Sequence, residues 1–418
     1  MNLIFSKTFD SLKNNWKNGA FYLILSAGIS KFFAFVINII LASKLEISEF
    51  GIVSYLTSLL ALLATISGLG LHKAYLRYAA IQPESEQLFF GLALGIGNLW
   101  NLLLFGVFIL LAFSLQSWFL KDAFPYLHQI LLPFISLYLY ELSLNRFLLR
   151  KKNKKYALTE ALRLPVISAC LWIVNQLNIS LYFLIFGGIT FLFSVNIFPK
   201  FKTICFSLKN LMTQKPLLRY GINSSLSGVI SQIMYTTDIF MLGILLQDSE
   251  EIGLYKAGIM IPLSFTFISL ALVNARYADI AGNYQNKTIL KSLVKHITYT
   301  AFIIASTVYI LLFFFRKDLI LWFFGEEFTD SLKVFLPAAF TMFAALTLRV
   351  PFGNILAAVG KTHWNFYISL AGLILNILLN YWLIPSFGIY GASIATLTSV
   401  IFTGLASFTA WKIYLSKI

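Results

Sequence analysis

The chain has 418 residues, 59% of them hydrophobic and only 12% charged, with a formal net charge of +15 and a mean hydropathy of +0.80. That composition excludes a soluble domain, because the apolar residues come in blocks of the roughly 20 that one helix needs to cross hydrocarbon. It also excludes a transmembrane β-barrel, whose strands would alternate apolar and polar residues.

Ahead of the first block, Phe5, Phe9, Leu12 and Trp16 recur at spacings of four, three and four, which predicts an amphipathic interfacial helix over residues 1–19. No small-residue cleavage site follows the first block, so no cleaved signal peptide is expected. Six spans then lie at roughly 20–42, 50–70, 88–113, 125–145, 157–178 and 180–198. Six more lie at roughly 221–246, 252–275, 296–315, 336–358, 364–384 and 389–411. The layout predicts an all-α membrane protein of about twelve transmembrane helices: an N-terminal six-helix lobe over 20–205, a cytoplasmic linker over 206–220 and a C-terminal six-helix lobe over 221–418.

Basic residues orient the spans. Lys7, Lys13 and Lys17, then Arg146, Arg150, Lys151, Lys152, Lys154 and Lys155, fall on one side of the alternating blocks. So do Lys200, Lys202, Lys209, Lys215 and Arg219, followed by Arg276, Lys287, Lys291 and Lys295, while the alternate loops ("NQLNIS", "QDSEEI") are neutral or acidic. Basic loops face the cytoplasm, so both termini are expected there. In a membrane chain such an excess meets anionic lipid, and no basic soluble domain exists to bind nucleic acid. Cys170 lies in an apolar block and Cys205 in a basic loop, which indicates neither a disulfide framework nor a metal site. His72, His296 and His363 fall at cytoplasmic span ends and His128 at an outer one, too scattered for a metal site.

An internal repeat is visible. "GISKFFAFVINIILASKLEISEFGI" (28–52) resembles "GVISQIMYTTDIFMLGILLQDSEEIGL" (228–254), pairing Gly28 with Gly228, Asn38 with Asp238, Glu49 with Glu251 and Gly51 with Gly253. Two halves of like orientation follow from it.

Polar residues form stripes at helical spacing: Ala27, Lys31, Ala34, Asn38 and Ala42 in the first span, and Asn223, Ser227, Ser231, Tyr235 and Asp238 in the seventh. Asn365, Ser369, Gly372, Asn376 and Asn380 continue the pattern in the eleventh, and Ala392, Thr396, Ser399 and Thr403 in the twelfth. A single polar residue in a span usually joins helices. Asparagines and charges on several spans together suggest a shared wet cavity. Lys31 sits eleven residues from either end of its span, about 16 Å from the interface at 1.5 Å per residue, too deep for snorkelling to free its ammonium. Arg349 is similarly deep. Residues of this kind mark substrate or ion paths, with a structural ion pair such as Lys31–Asp238 as the alternative reading. Glu160 and Arg163, three apart near the basic loop, look more like a structural pair, and Glu141 fits either role.

"DIFMLGILLQDSEEIGLYKAG" (238–258) and "LNILLNYWLIPSFGIYGASIATLTS" (375–399) resemble motifs of the bacterial lipid-linked oligosaccharide (O-antigen type) flippases. The second motif is characteristic of the wider multidrug/oligosaccharidyl-lipid/polysaccharide exporter superfamily. The resemblance implies two lobes around a central cavity that opens alternately to each side of the bacterial inner membrane. The implied substrate is an undecaprenyl-pyrophosphate-linked glycan, with the polysaccharide polymerase and chain-length regulator as candidate partners. No cofactor is implied; an H⁺ or Na⁺ gradient is a drive such a transporter can use. Expected substrate-binding residues are Lys31, Asn38, Arg349, Asn376 and Asn380, and Asp238 and Glu141 are the ion-coupling or structural-pair candidates. A multidrug exporter of the same superfamily is the first rival, although basic residues at the midplane repel cationic drugs. A membrane enzyme would need acid, base or nucleophile groups on a sizeable loop. The longest outer loop, roughly 316–335 with Asp318, Glu326, Glu327 and Asp330, is short. A non-transporting scaffold, the third rival, would not need midplane cations.

Overall fold

The computed structural model of the protein describes residues 20–194 and 214–418. The interfacial helix expected over 1–19, Cys205 and most of the expected linker lie outside the described residues. In hydrocarbon every backbone N–H and C=O must be satisfied within the segment, and the described chain answers with helices. They are α1 (Ala20–Lys44), α2 (Ile47–Thr65), α3 (Leu71–Ile81), α4 (Glu86–Ser114), α5 (Leu131–Leu149), α6 (Asn153–Ile173) and α7 (Ile179–Phe193). After the undescribed stretch come α8 (Lys215–Leu245), α9 (Ser249–Ser264), α10 (Phe267–Gly282), α11 (Lys287–Phe323), α12 (Leu332–Ala344), α13 (Val350–Ala358) and α14 (Thr362–Lys417). Among the described residues nine helical stretches are long and apolar enough to cross a membrane, and each of the twelve expected spans coincides with a helix or a pair of helices. The fold is an all-α, multi-pass membrane fold.

Several boundaries differ from the expected ones for local reasons. The second span ends at Thr65, close to the expected end; a turn over Ser67–Gly70, with positive φ at Gly68, Leu69 and Gly70, then leads into the separate helix α3. The eighth span breaks at Phe265 and Thr266 into α9 and α10, just after Pro262, whose ring removes a backbone donor. The loop expected over 316–335 is largely helical: α11 runs to Phe323, and a 3₁₀ turn covers Glu326–Ser331. The last two spans, together α14, are two helices joined by a sharp bend at Gly388 (φ 57°, ψ −137°), a positive-φ conformation that favours glycine. A Cβ on Gly391 would lie 2.3 Å from the Leu383 carbonyl, so the chain folds tightly back at this break.

The chain divides into two compact units. The first gathers the described parts of Met1–Leu45, Leu56–Gln116 and Ala123–Gln232; the second holds Glu46–Tyr55, Ser117–Asp122 and Ile233–Ile418. In the first, α1 lies along α6, α5 along α7, and α3 against α4 and α5. Tyr75, Phe89, Phe90, Tyr138 and Leu142 form its core, joined by Leu217 from the start of α8. Lys44 ends α1 by donating its ammonium to the carbonyls of Leu171, Trp172 and Val174 at 3.1, 2.6 and 2.5 Å, which satisfies the free C-terminal carbonyls of α6.

In the second unit, α12 packs against α9, α11 and α14, and α13 against α10 and α14. Val273, Leu290, Phe352, Ile355, Trp411 and Tyr414 fill its core. Here the repeat acquires a physical meaning. The start of α2 crosses the start of α9 backbone to backbone, at the paired glycines. A Cβ on Gly51 would stand 1.7 Å from the Ser249 carbonyl and 2.9 Å from the Gly253 nitrogen; one on Gly253 would stand 2.4 Å from the Ile47 carbonyl. Large apolar side chains on α4 (Leu103, Leu110, Phe113) and α11 (Phe302, Ile310, Phe314) are exposed, as lipid-facing surfaces require. Trp118, Trp172, Trp322 and Trp382 are exposed too, and all adjoin loops expected on the outer side, where tryptophans anchor at the interface.

Candidate ion and substrate site

In the second unit, Asp238 lies two turns before the end of α8, inside an otherwise apolar block. Asn376 and Asn380, one turn apart on α14, present their amides to one of its carboxylate oxygens. Asn380 Nδ2 donates to Oδ1 at 2.9 Å and Asn376 Nδ2 at 3.3 Å. The other oxygen accepts from the Tyr255 hydroxyl of α9 at 2.5 Å and from the Thr396 hydroxyl. Thr396 reaches it only because α14 folds back at Gly388. The set is cross-linked: Asn376 Nδ2 also donates to Thr396 Oγ1 at 3.2 Å, and Asn380 Nδ2 to Asn376 Oδ1 at 3.1 Å. Tyr255, Asn376 and Asn380 are buried.

The charge balance of this cluster is informative. A half-buried carboxylate in an apolar block is held by a cation or by several donors. Within its own unit, and among the described residues, Asp238 makes no ion pair, only hydrogen bonds to neutral groups. Asn380 Oδ1 is buried without a hydrogen-bond partner, a spare acceptor beside an anion. Turning those donors away would leave the carboxylate, two amide oxygens and a threonine hydroxyl, an all-oxygen set of the kind that suits hard cations. The same carboxylate can take a proton instead.

The other expected site residues are distributed over the two units. Arg349 ends a π-helical segment, Ala345–Arg349, between α12 and α13. Its guanidinium fork donates to Asn365 Oδ1 at 2.9 Å and Ser369 Oγ at 2.7 Å, two members of the α14 stripe. π-helical turns inside α-helices recur at functional sites. In the first unit Lys31 is exposed on α1, whereas Asn38 is half-buried and bonds its own helix at the Ala34 carbonyl, 2.7 Å away. Glu141 on α5 meets His72 at the start of α3, with Oε2 and Nε2 3.1 Å apart. The pairing expected for Glu160 and Arg163 is replaced by separate partners. Glu160 accepts from the Tyr140 hydroxyl at 2.8 Å, while Arg163 stacks over the Tyr140 ring at 4.6 Å and donates to Thr190 at 3.3 Å.

Of the residues proposed from sequence, Asp238, Asn376 and Asn380 come together in the second unit, where Arg349 has other partners; Lys31, Asn38 and Glu141 belong to the first unit. Tyr255 and His72 were not singled out. Tyr255 falls in the Gly-Leu-Tyr opening of α9, whose signal is the motif itself; His72 gives no sequence signal beyond being a histidine near a span end.

The family described as "Polysaccharide biosynthesis protein" matches residues 16–275, and the family described as "MatE" matches residues 224–382. No curated protein matches the chain. Among solved structures, a lipid II flippase MurJ in an inward closed conformation is similar at a TM-score of 0.70 and 16% identity, covering 94% of this chain and 87% of that one. An inward-facing multidrug resistance MATE family transporter of the MOP superfamily is similar at 0.69 and 13% identity, covering 93% and 95%. A MOP superfamily transporter from Pyrococcus furiosus, whose binding pocket is described as having reversed polarity, is similar at 0.60 and 13%, covering 96% and 95%.

Proposed function

The chain belongs to the polysaccharide biosynthesis protein family, and from that premise we propose that it flips an undecaprenyl-pyrophosphate-linked oligosaccharide, an O-antigen or related repeat unit, from the cytoplasmic to the outer leaflet of a bacterial inner membrane by alternating access. It is a multi-pass membrane transporter and not an enzyme; no bond is made or broken. A pyrophosphate and a hydroxyl-rich headgroup cannot cross hydrocarbon unaided, because each polar group stripped of water without a new partner costs several kcal/mol. Spans that carry Lys31, Arg349 and asparagine stripes supply partners for both. Lys31 and Arg349 attract the anion, and Asn38, Asn376 and Asn380 hydrogen-bond sugar. Asp238 binds the coupling ion, Na⁺ or H⁺, within the oxygen set around it. The polymerase and the chain-length regulator that receive the flipped unit are the protein partners this role calls for.

The family match over residues 16–275 carries the reading. It is tested by deleting the gene and assaying surface glycan and lipid-linked repeat units. Loss of the glycan with accumulation of the lipid-linked precursor on the cytoplasmic leaflet is expected. Intact glycan together with heightened sensitivity to cationic drugs would instead establish the second reading, a multidrug exporter, which the MatE match over 224–382 favours.

A further inference from the structure

The first unit holds a titratable pair that the reading above does not use. His72 is buried, 2% exposed; its Nε2 lies 3.1 Å from Glu141 Oε2, and its Nδ1 has no hydrogen-bond partner among the described residues. Its backbone is fixed, since Asn145 Nδ2 donates to the His72 carbonyl at 3.0 Å, and its ring stands edge-on to Tyr138 with centroids 5.5 Å apart. A buried imidazole whose Nδ1 is unpartnered and whose Nε2 faces a carboxylate calls for an explanation. Glu141 supplies one, because its side chain is 55% exposed while its oxygen faces the ring. One end of the pair is buried and the other is open to the surface of the unit.

We infer that His72 and Glu141 form a proton-binding site in the first unit, separate from Asp238 and loaded through the exposed carboxylate. A hydronium ion gives its proton to the pair, and water is left behind. The imidazolium then carries hydrogen on both ring nitrogens, and its Nε2–H makes a charge-assisted bond to Glu141. Loss of the proton returns a neutral ring beside the carboxylate. The two groups share the proton as one system. Other charges bear on the carboxylate. Lys73 follows His72 on α3, Arg163 and Tyr156 face it from α6, and Tyr138 lies on α5 itself. The remaining helices packed on α5 add little: α4 carries only Glu86, held by Arg150 at 2.8 Å, and α7 only Tyr182. With Lys73, Arg163 and Glu160 charged, the deprotonated cluster sums to neutral, and each proton taken up makes this face of the first unit one charge more positive. Linked to the proposed transport of an anionic headgroup, that change makes export depend on pH.

The site itself is tested without substrate. The intact protein, carrying ¹³C-labelled histidine in lipid nanodiscs, is titrated from about pH 5 to 8 by NMR, the range in which histidine changes charge. The His72 resonance, assigned by its absence in His72→Gln, should titrate, and Glu141→Gln should lower its midpoint by about one pH unit or more. A His72 that does not titrate, or that keeps its midpoint in Glu141→Gln, overturns the site. Coupling is tested in cells as the ratio of glycan export at mildly acidic and mildly alkaline external pH. Both variants, present in the membrane at wild-type levels, should flatten that ratio towards one; an unchanged ratio overturns the coupling. A normal titration with no export phenotype on gene deletion would overturn the proposed substrate and leave the proton site standing.

Discussion

Asp238→Asn separates an ion site from a structural knot. The carboxylate accepts from Tyr255, Thr396, Asn376 and Asn380. An amide in its place keeps one acceptor oxygen and turns an NH₂ group towards two of those donors. Hydrogen bonds to a charged group contribute roughly 1.5–3 kcal/mol each, so two lost bonds remove about 3–6 kcal/mol. Against this, eliminating a half-buried charge relieves part of the several-kcal/mol penalty of desolvating an ion. The terms are opposite in sign, and the variant is expected to fold with a net loss smaller than the bonds alone would give. Its response to cations should disappear. A ligand present at about 100 times its Kd stabilises the folded state by about 2.7 kcal/mol. Purified wild-type protein should therefore unfold at higher temperature in NaCl than in KCl of equal ionic strength if Na⁺ is the ligand, and Asp238→Asn should unfold alike in both. If the ligand is a proton, salt identity is immaterial to both proteins, and the difference between them appears in the pH dependence of the midpoint. Identical salt and pH responses in the two proteins would refute the assignment of Asp238 as an ion ligand.

Lys31→Ala should abolish surface glycan export while the protein remains inserted, and Lys31→Arg should retain part of it; normal export by the alanine variant, read on a glycan gel, would remove Lys31 from the substrate path. Arg349→Lys forfeits the two-pronged contact with Asn365 and Ser369, with an expected loss of about 1.5–3 kcal/mol in thermal unfolding, and Arg349→Gln should fare no better. Gly51→Val places a side chain where the Ser249 carbonyl stands, and overpacking of this kind costs about 1–3 kcal/mol, so its unfolding midpoint should fall well below that of Gly106→Val, whose Cβ meets no atom within 4 Å.

The apolar blocks alone determined the architecture, because lipid leaves a chain of this composition no alternative to helices that satisfy their own backbones. Stripe spacing likewise picked out Asp238, Asn376 and Asn380, since side chains one turn apart share a helix face. What spacing cannot supply is a partner from another helix. Thr396 joins Asn376 only through the reversal at Gly388, and Tyr255 on α9 meets Asp238 on α8 across the turn between the two helices. His72 and Glu141 stand 69 positions apart in the chain and 3.1 Å apart in space. Glu160 and Arg163, close enough in sequence to suggest a pair, were drawn instead to Tyr140 and Thr190. A helix's polar face is a local property of the chain, whereas the group that meets a charge is decided by which helices pack side by side.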